Sequence, residues 1–456
     1  MSVRPIRRVR LLVISYTFPP VAEVGSIRIS QLCGYLPDYG IEPIVLTVQE
    51  QFHEAIDPSR VSPPCIQVVR TRMGPTPISW YKIVKQFVSS PGRQIHFEHN
   101  GAKTASRHES GGLRETIVKL LQIPDRRWGW YFPAIRQSKQ LLLREPVDAI
   151  FSSGPPWTSH LVARYLKKKF GLPWIVDFRD PWAGFDPKHV GPLWSYHLAK
   201  RMEGSCIRTS DLVLCNTDRL RLALQERYSD LDSVRFRTLT NGFEDALVFP
   251  NQRAKPKRLL LHLGSIYANR RIDTFLEALA GLVRSGRLDA KSVQVVFQGD
   301  IDPTQIAQVE RIVPDLLRSR CVEFRPRVSW EEAWQVLWES DLLLLFQGNH
   351  ELQVPAKFYE YLQTGIPILA VTERGALTDI LQQTESGIWV RPSDTQAIAD
   401  GLMQAMQLPK RSQEDMNKLF AKRYHYRALA EQLSVWVREL AKRHRVDGLA
   451  TVEGNT

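Results

Sequence analysis

Two charged residues, Lys357 and Glu360, stand close together at the start of a predicted helix in the segment VPAKFYEYLQTGIP, residues 354–367. A cation in the first turn of a helix is unfavourable by ~0.3–1 kcal/mol, because the helix dipole is positive there. A bound anion would reverse that sign, since the backbone N–H groups and the Lys357 amine would both attract it. The Glu360 carboxylate could accept hydrogen bonds from two vicinal hydroxyls, as on a ribose. The pair suggests a nucleoside diphosphate site, and a Lys and a Glu on a solvated helix surface are the alternative.

The surrounding residues predict the helix that would carry these side chains. Pro355 suits the first position of a helix. Apolar residues repeat at the i, i+3, i+4 spacing of one helix face: Phe358, Tyr361 and Leu362. Gly365 is suited to end the helix in a left-handed conformation, and Pro367 prevents it from resuming. Residues 368–371 then indicate a buried strand.

This segment has the form P-x-K-x-x-E-Y-x-x-x-G-x-P-I-L and resembles the donor-nucleotide helix of the family-4, glycogen-synthase-like retaining glycosyltransferases. In that family a Glu at the position of Glu360 binds the donor ribose. The family motif has a second, earlier Glu, and Leu352 stands in its place. The resemblance implies an α/β fold of the GT-B type, with two Rossmann-like domains facing a central cleft and a C-terminal helix that crosses back to the N-terminal domain.

Length and composition set the outer limits. A chain of 456 residues with an apolar fraction of 43% predicts two domains of ordinary size. The 5 cysteines are scattered and form no C-x-x-C pair, so neither a zinc site nor a disulfide framework is expected. No segment approaches the ~20 apolar residues that span a bilayer, and the apolar run behind the basic N-terminus is too short for a signal peptide. These features favour a cytoplasmic protein.

The net charge of +13 favours anionic partners, and nucleotides, anionic lipid surfaces and nucleic acid all satisfy it. The resemblance narrows this set. It implies a nucleotide-diphosphate sugar as donor and a saccharide or lipid-linked acceptor. The charge leaves open an anionic membrane surface as a further partner, to which the protein would bind peripherally at the inner face. Nucleic acid is not expected as a partner.

A glycine-containing loop follows the first predicted strand, residues 11–15, and a helix is predicted from Ser26. This layout points free N–H groups at an anion or a sugar hydroxyl. It is similar to the first loop of family-4 transferases, where a cleft glycine and a following arginine match Gly25 and Arg28. The resemblance places Gly25 with the donor nucleotide and Arg28 on the acceptor side.

Polar and charged residues also end two later predicted strands. Ser153 lies in SSGPPW, and Asp177, Arg179 and Asp180 lie in IVDFRDPW. Open α/β sheets bind ligands at the carboxyl ends of their strands, although an Asp–Arg ion pair that locks the loop is equally consistent. Both segments are similar to the part of the family that brings the acceptor hydroxyl to the donor sugar. The resemblance implies that Ser153 and Asp177 lie on the acceptor side and that Arg179 and Asp180 are catalytic.

A second phosphate-binding loop is predicted after the strand at residues 259–263. The family's loop has the form G-R-x-x-x-x-K-G, in which Gly264 and Arg270 match the Gly and the Lys, while Ser265 replaces the Arg. A guanidinium is a fair substitute for binding phosphate oxygens. A solvated Arg pair, Arg270 and Arg271, is the alternative, but the helix dipole disfavours cations there without an anion.

The predicted N-terminal, acceptor-side domain covers residues 1–250 and is completed by a C-terminal helix at about 424–445. The donor-binding domain covers residues 257–420, after a Pro- and Lys-rich linker. An insertion at about 73–123 carries aromatic and basic residues. It either packs on the domain surface or forms a flap that faces the acceptor or a membrane.

The resemblance implies a hexosyltransferase-like enzyme that moves a sugar to an acceptor hydroxyl with retention of the anomeric configuration, in cell-surface polysaccharide or glycolipid synthesis. Arg270, Lys357 and the helix starts could stabilise the departing diphosphate electrostatically. No cofactor or metal is therefore expected, and no Asp-x-Asp signature sits at a plausible cleft position. Three alternatives remain: a GT-B nucleotide-sugar epimerase, a non-catalytic basic protein that binds membranes or polyanions, and a degenerate transferase.

Overall fold

Two parallel β-sheets organise the chain, which a computed structural model describes over residues 8–21, 23–53, 55–75, 123–184, 193–245, 256–266 and 270–453. Most of the predicted insertion and of the predicted linker lies outside these residues. The expectations of a flap and of an interdomain linker are therefore not addressed by the described structure.

The first sheet has seven strands in the order β3-β2-β1-β4-β5-β6-β7. Its strands are β1 (Val9–Ile14), β2 (Ile41–Val48), β3 (Gln67–Thr71), β4 (Ala149–Gly154), β5 (Trp174–Phe178), β6 (Leu212–Cys215) and β7 (Phe236–Thr238). The second sheet has six strands in the order β10-β9-β8-β11-β12-β13. Its strands are β8 (Arg258–Leu263), β9 (Val293–Gln298), β10 (Val322–Arg325), β11 (Leu342–Phe346), β12 (Ile368–Val371) and β13 (Gly387–Val390).

Helices connect most of the strands, because two parallel neighbours need a crossover that returns the chain to the end of the sheet where the first strand began. In the first half they are α1 (Val24–Tyr35), α2 (Tyr131–Arg144), α3 (Thr158–Phe170), α4 (Leu193–Thr209) and α5 (Asp218–Arg227). In the second half they are α6 (Asp273–Arg284), α7 (Pro303–Ile312), α8 (Pro314–Arg318), α9 (Trp330–Trp338), α10 (Ala356–Thr364), α11 (Ala376–Thr384), α12 (Thr395–Ala405), α13 (Gln413–Met416), α14 (Lys422–Tyr424) and α15 (Tyr426–Glu453).

The central strands are continuous apolar runs because both of their faces are covered. All five residues of β11, LLLLF, are buried, and β11 pairs in parallel with β8 and β12. In β8, Leu260 packs into one apolar cluster, while Leu259 and Leu261 pack into another. A strand with two buried faces reads as an unbroken hydrophobic segment rather than an alternating one.

Each sheet reverses its strand order once, and the predicted site residues lie at these reversals. The chain builds outward from β1 to β3 and then returns to place β4 beside β1. It repeats this in the second sheet, where β11 returns beside β8. In open α/β sheets such reversals are where ligands bind, at the carboxyl ends of the strands.

The chain divides into two compact units. The first contains Met1–Asn216, Leu220–Thr240 and Leu429–Thr456, and the second contains Thr217–Arg219 and Asn241–Ala428. Helix α15 therefore starts in the second unit and continues into the first. The first unit is built from separate stretches of the chain.

Candidate functional site

The reversal point of the second sheet holds the predicted phosphate residues. Gly264 directly follows β8, and α10 follows the neighbouring β11 after the loop at residues 347–355. Because these two strands are parallel neighbours, the loop after β8 and the start of α10 lie at the same edge of the sheet.

Helix α10 has the predicted apolar face and C-terminal stop. Its buried residues include Phe358, Tyr361 and Leu362, which confirms the i, i+3, i+4 prediction, and Gly365 ends it with φ 68°. Pro355 is the N-cap, so the helix begins one residue later than predicted. No side chain caps the first turn of α10, and no acidic residue lies in it. Lys357, a cation, does lie in that turn. This arrangement suits an anion at the helix start.

Tyr361 ties α10 to the end of β8. Its hydroxyl oxygen accepts a hydrogen bond from the Leu263 N–H at 2.8 Å. Lys357 lies one turn earlier on the same helix face, and its Nζ is 2.6 Å from where a Cβ would stand on Gly264. Gly264 also has a φ of +115°, which favours glycine. The Lys357 amine therefore lies directly against the backbone of the predicted phosphate loop.

Lys357 has few groups to balance its charge. Burial and the positive charge of Arg270 lower its pKa, Glu360 raises it, and the net effect is a pKa of about 7. The pKa of His262, whose Nε2 is 3.4 Å from the Lys357 Nζ, is held well below its ordinary value, mainly by burial. A bound anion would stabilise the protonated Lys357 amine, because Lys357 and Arg270 would then both face a negative charge.

Arg270 is held beside the loop through Ser265, since its Nη1 donates to the Ser265 carbonyl oxygen at 2.8 Å. Ser265, which replaces the family's Arg, thus offers a backbone acceptor that orients the neighbouring guanidinium. Arg271 instead pairs with Asp273 at 2.8 Å. Of the two consecutive arginines, Arg270 is the one whose charge reaches Lys357.

Glu360 is half-buried and close enough to Lys357 to raise the pKa of the amine. It stands three positions after Lys357 on α10. The structure thus brings Gly264, Ser265, Arg270, Lys357 and Glu360 to one edge of the second sheet. The role of Glu360 at a ribose stays a prediction.

In the first unit, Gly25 and Arg179 form one contact. A Cβ on Gly25 would overlap the Arg179 guanidinium, so the absence of a side chain lets this arginine lie against α1. The Arg179 Nε donates to the Gly154 carbonyl at 3.3 Å, and a second guanidinium nitrogen donates to Pro155. Burial lowers the pKa of Arg179, and the Asp180 carboxylate partly opposes that effect. Gly25 belongs to the first unit, and its role at the donor nucleotide stays a prediction.

Arg28, Asp177 and Ser153 form a second, fully buried group. The Asp177 carboxylate accepts from the Arg28 Nη2 at 2.9 Å and from the Ser153 hydroxyl at 2.7 Å. Arg28 also donates to the carbonyls of Leu239 and Thr240. Arg28 and Asp177 are each 0% exposed. The ion pair expected in this region therefore joins Asp177 to Arg28 rather than to Arg179, and it fixes the ends of three segments of the first sheet.

Two features of the second-unit site were not predicted from the sequence: the presence of His262 and the hydrogen bond of the Tyr361 hydroxyl. A histidine inside the apolar strand β8, RLLLHL, was the available signal. Tyr361 was recognised only as part of an apolar face, because its hydroxyl contact depends on the neighbouring strand.

Within the described part of the chain, no cluster of His, Cys, Asp and Glu is arranged to hold a metal ion. Among the same residues, no helix has the length and apolar character needed to cross a membrane.

Two family models match the chain. "Glycosyl transferases group 1" matches residues 244–423, and "Glycosyl transferase 4-like domain" matches residues 27–242. The chain belongs to the family-4 glycosyltransferases. The first match contains Gly264, Arg270, Lys357 and Glu360, so the second-unit site of this glycosyltransferase lies within the group 1 domain. No curated protein matches the sequence.

Solved structures confirm the predicted α/β fold of the GT-B type. The glycosyltransferase is similar to sucrose-phosphate synthase from Thermosynechococcus elongatus, with 17% identity, TM-score 0.63, and coverage of 95% of this chain and 99% of that one. It is similar to Anabaena HepE in complex with UDP and glucose, with 12% identity, TM-score 0.60, and coverage of 94% and 99%. It is also similar to α,α-trehalose-phosphate synthase (UDP-forming) from Burkholderia vietnamiensis, with 10% identity, TM-score 0.58, and coverage of 96% and 100%.

Proposed function

We propose that this glycosyltransferase moves a sugar from a nucleotide-diphosphate sugar to an acceptor hydroxyl with retention of the anomeric configuration, in the synthesis of a cell-surface polysaccharide or glycolipid. The observation that carries the proposal is the Lys357 amine, half-buried at the uncapped start of α10 and against the Gly264 backbone. A second cation, Arg270, acts on the same amine. Two nearby cations beside an uncapped helix start would suit the negative charge of a diphosphate.

The reaction needs stabilisation of the negative charge that develops on the departing diphosphate. Arg270, Lys357 and the N–H groups of α10 would supply it as fixed positive groups, which cost no reorganisation when the bond breaks. We therefore propose transfer without a metal or other cofactor. Arg179 and Asp180 would act at the acceptor side, and the buried Arg28–Asp177 pair would hold that part of the first unit in place. Undiminished turnover in EDTA would support the metal-free proposal, and its loss would overturn it.

The donor site is tested by thermal melting in the presence of UDP, GDP, ADP, CDP and dTDP. We expect at least one nucleotide to raise the melting temperature of the wild type. The same nucleotide should leave the melting temperatures of Lys357→Ala and Arg270→Ala nearly unchanged. Lys291→Ala is the matched control, because Lys291 is exposed and lies just before β9, at the opposite edge of the same sheet. If none of the five nucleotides stabilises the wild type, the proposed function is wrong.

The acceptor requirement separates transfer from epimerisation. An epimerase would change the nucleotide sugar without any acceptor, whereas a transferase would release the nucleoside diphosphate only when an acceptor is present.

The net charge of +13 supports the further proposal of a cytoplasmic protein that binds the anionic membrane surface where a lipid-linked acceptor would lie. Co-sedimentation with phosphatidylglycerol vesicles, compared with phosphatidylcholine vesicles, tests that proposal.

A further inference from the structure

His262 is a fully buried polar residue that follows three leucines in a strand. It lies in β8, two residues before Gly264, and its ring is 0% exposed. The rings of Phe346 and Phe297 lie 5.4 and 6.2 Å from it, centroid to centroid. A histidine in such surroundings needs partners for both ring nitrogens, because an unsatisfied buried polar group is costly.

Both nitrogens have partners, and the partners fix the tautomer. The Nδ1 lies 2.9 Å from the Leu344 carbonyl oxygen, which can only accept a hydrogen bond, so Nδ1 carries the proton. The Nε2 of the neutral ring is then an acceptor, and it lies 3.4 Å from the Lys357 Nζ, which donates. Burial favours the neutral ring, because it lowers the pKa of His262 well below its ordinary value.

We propose that His262 is a positioning residue of the donor site, whose Nε2 holds the Lys357 amine against Gly264, where the amine meets the diphosphate. This inference rests on the proposed function, since the diphosphate is the ligand that the amine would bind. The charged groups that act on the amine are Arg270 and Glu360. Arg270 repels the amine, and Glu360 attracts it from three positions along the same helix. The His262 Nε2 adds a neutral acceptor on the side of β8, where Gly264 lies. A flexible lysine held in its binding conformation loses less entropy when the ligand arrives.

Two substitutions separate the two hydrogen bonds. In His262→Asn the side-chain amide can donate to Leu344 from the Nδ1 position but offers no acceptor to Lys357. In His262→Gln the amide oxygen can reach the Nε2 position and accept from Lys357. A merely structural role predicts similar effects of both changes on stability and none specific to the ligand.

The experiment measures the dissociation constant of the nucleotide that stabilises the full chain most among UDP, GDP, ADP, CDP and dTDP. We expect His262→Asn to weaken binding about fivefold, the scale of ordering one long side chain, and His262→Gln to stay within about twofold of the wild type. In a Lys357→Met background, His262→Asn should have no further effect, because its influence passes through the amine.

Several results would overturn the inference. If Lys357→Met weakens binding but His262→Asn does not, the positioning role is wrong while the proposed function stands. A loss in His262→Asn that persists in the Lys357→Met background would mean that His262 acts by another route. If none of the five nucleotides binds the wild type, both proposals fail. Should His262→Asn not fold, ¹⁵N spectra of the wild type decide: a proton on Nε2 rather than Nδ1 would contradict the proposal.

Discussion

Raising the pH from 6 to 8 should weaken the binding of a nucleotide sugar, because the Lys357 amine loses its proton over that range. Burial, with the charge of Arg270, lowers the pKa of this amine to about 7 in the free protein. The amine is then about nine-tenths protonated at pH 6 and about one-tenth at pH 8, and affinity scales with the fraction of the binding-competent form. We therefore expect about a tenfold rise in the dissociation constant.

Isothermal titration calorimetry between pH 6 and pH 8 measures the dissociation constant. The ligand is a nucleotide sugar rather than a free nucleotide, because both of its phosphates stay singly ionised over this range and its charge does not change. Lys357→Arg keeps the charge throughout and should give a flat profile, while Lys357→Met should bind weakly and also give a flat profile. His262 should not contribute, since its pKa lies well below its ordinary value. A flat wild-type profile, or a slope that survives in Lys357→Met, would refute the assignment of the proton to Lys357.

Three further changes test other parts of the site. Glu360→Gln should weaken binding of a ribonucleotide about tenfold but not of its 2′,3′-dideoxy form, and equal losses for both would exclude a ribose contact. Arg28→Met should lower the free energy of unfolding in urea by about 3–5 kcal/mol, because it leaves a buried carboxylate unpaired. Arg208→Met is the control, because Arg208 pairs with Asp230 at the surface, where the two side chains are 49% and 57% exposed, and its loss should cost at most about 1 kcal/mol. Similar losses of stability for Arg28→Met and Arg208→Met would contradict the buried-pair argument. Gly25→Ala should reduce transfer activity by displacing the guanidinium of Arg179 and should add little in an Arg179→Ala background; additive losses would show that Gly25 acts separately.

Local signals predicted the elements that carry the site. The apolar spacing of α10 and the glycine that ends it are properties of nine or ten consecutive residues, and the structure has both. The runs that became β8 and β11 were recognised because a strand buried on both faces is apolar throughout. The family resemblance supplied the order of the motifs, and from it the α/β fold of two parallel sheets.

Contacts between distant residues could not be predicted in the same way. Arg28 and Asp177 are separated by 149 positions, and each has charged neighbours that would be an equally good partner by sequence. Lys357 and His262 are separated by 95 positions, and their contact depends on β8 and β11 being adjacent in the sheet. The elements β3 and α2 were also missed, since they border the predicted insertion and carry no motif.

The measurement that tests the central claim most directly compares nucleotide affinity with ligand-free stability for Lys357→Ala and Arg270→Ala. If both cations serve a bound diphosphate, each change should raise the dissociation constant about 10- to 100-fold, the range for a hydrogen bond to a charged group. The melting temperature without ligand should change little, because removing a poorly compensated charge offsets the loss of the contact of Lys357 with His262 and of Arg270 with Ser265. A lower melting temperature with unchanged affinity would show that the two side chains support the fold rather than the donor.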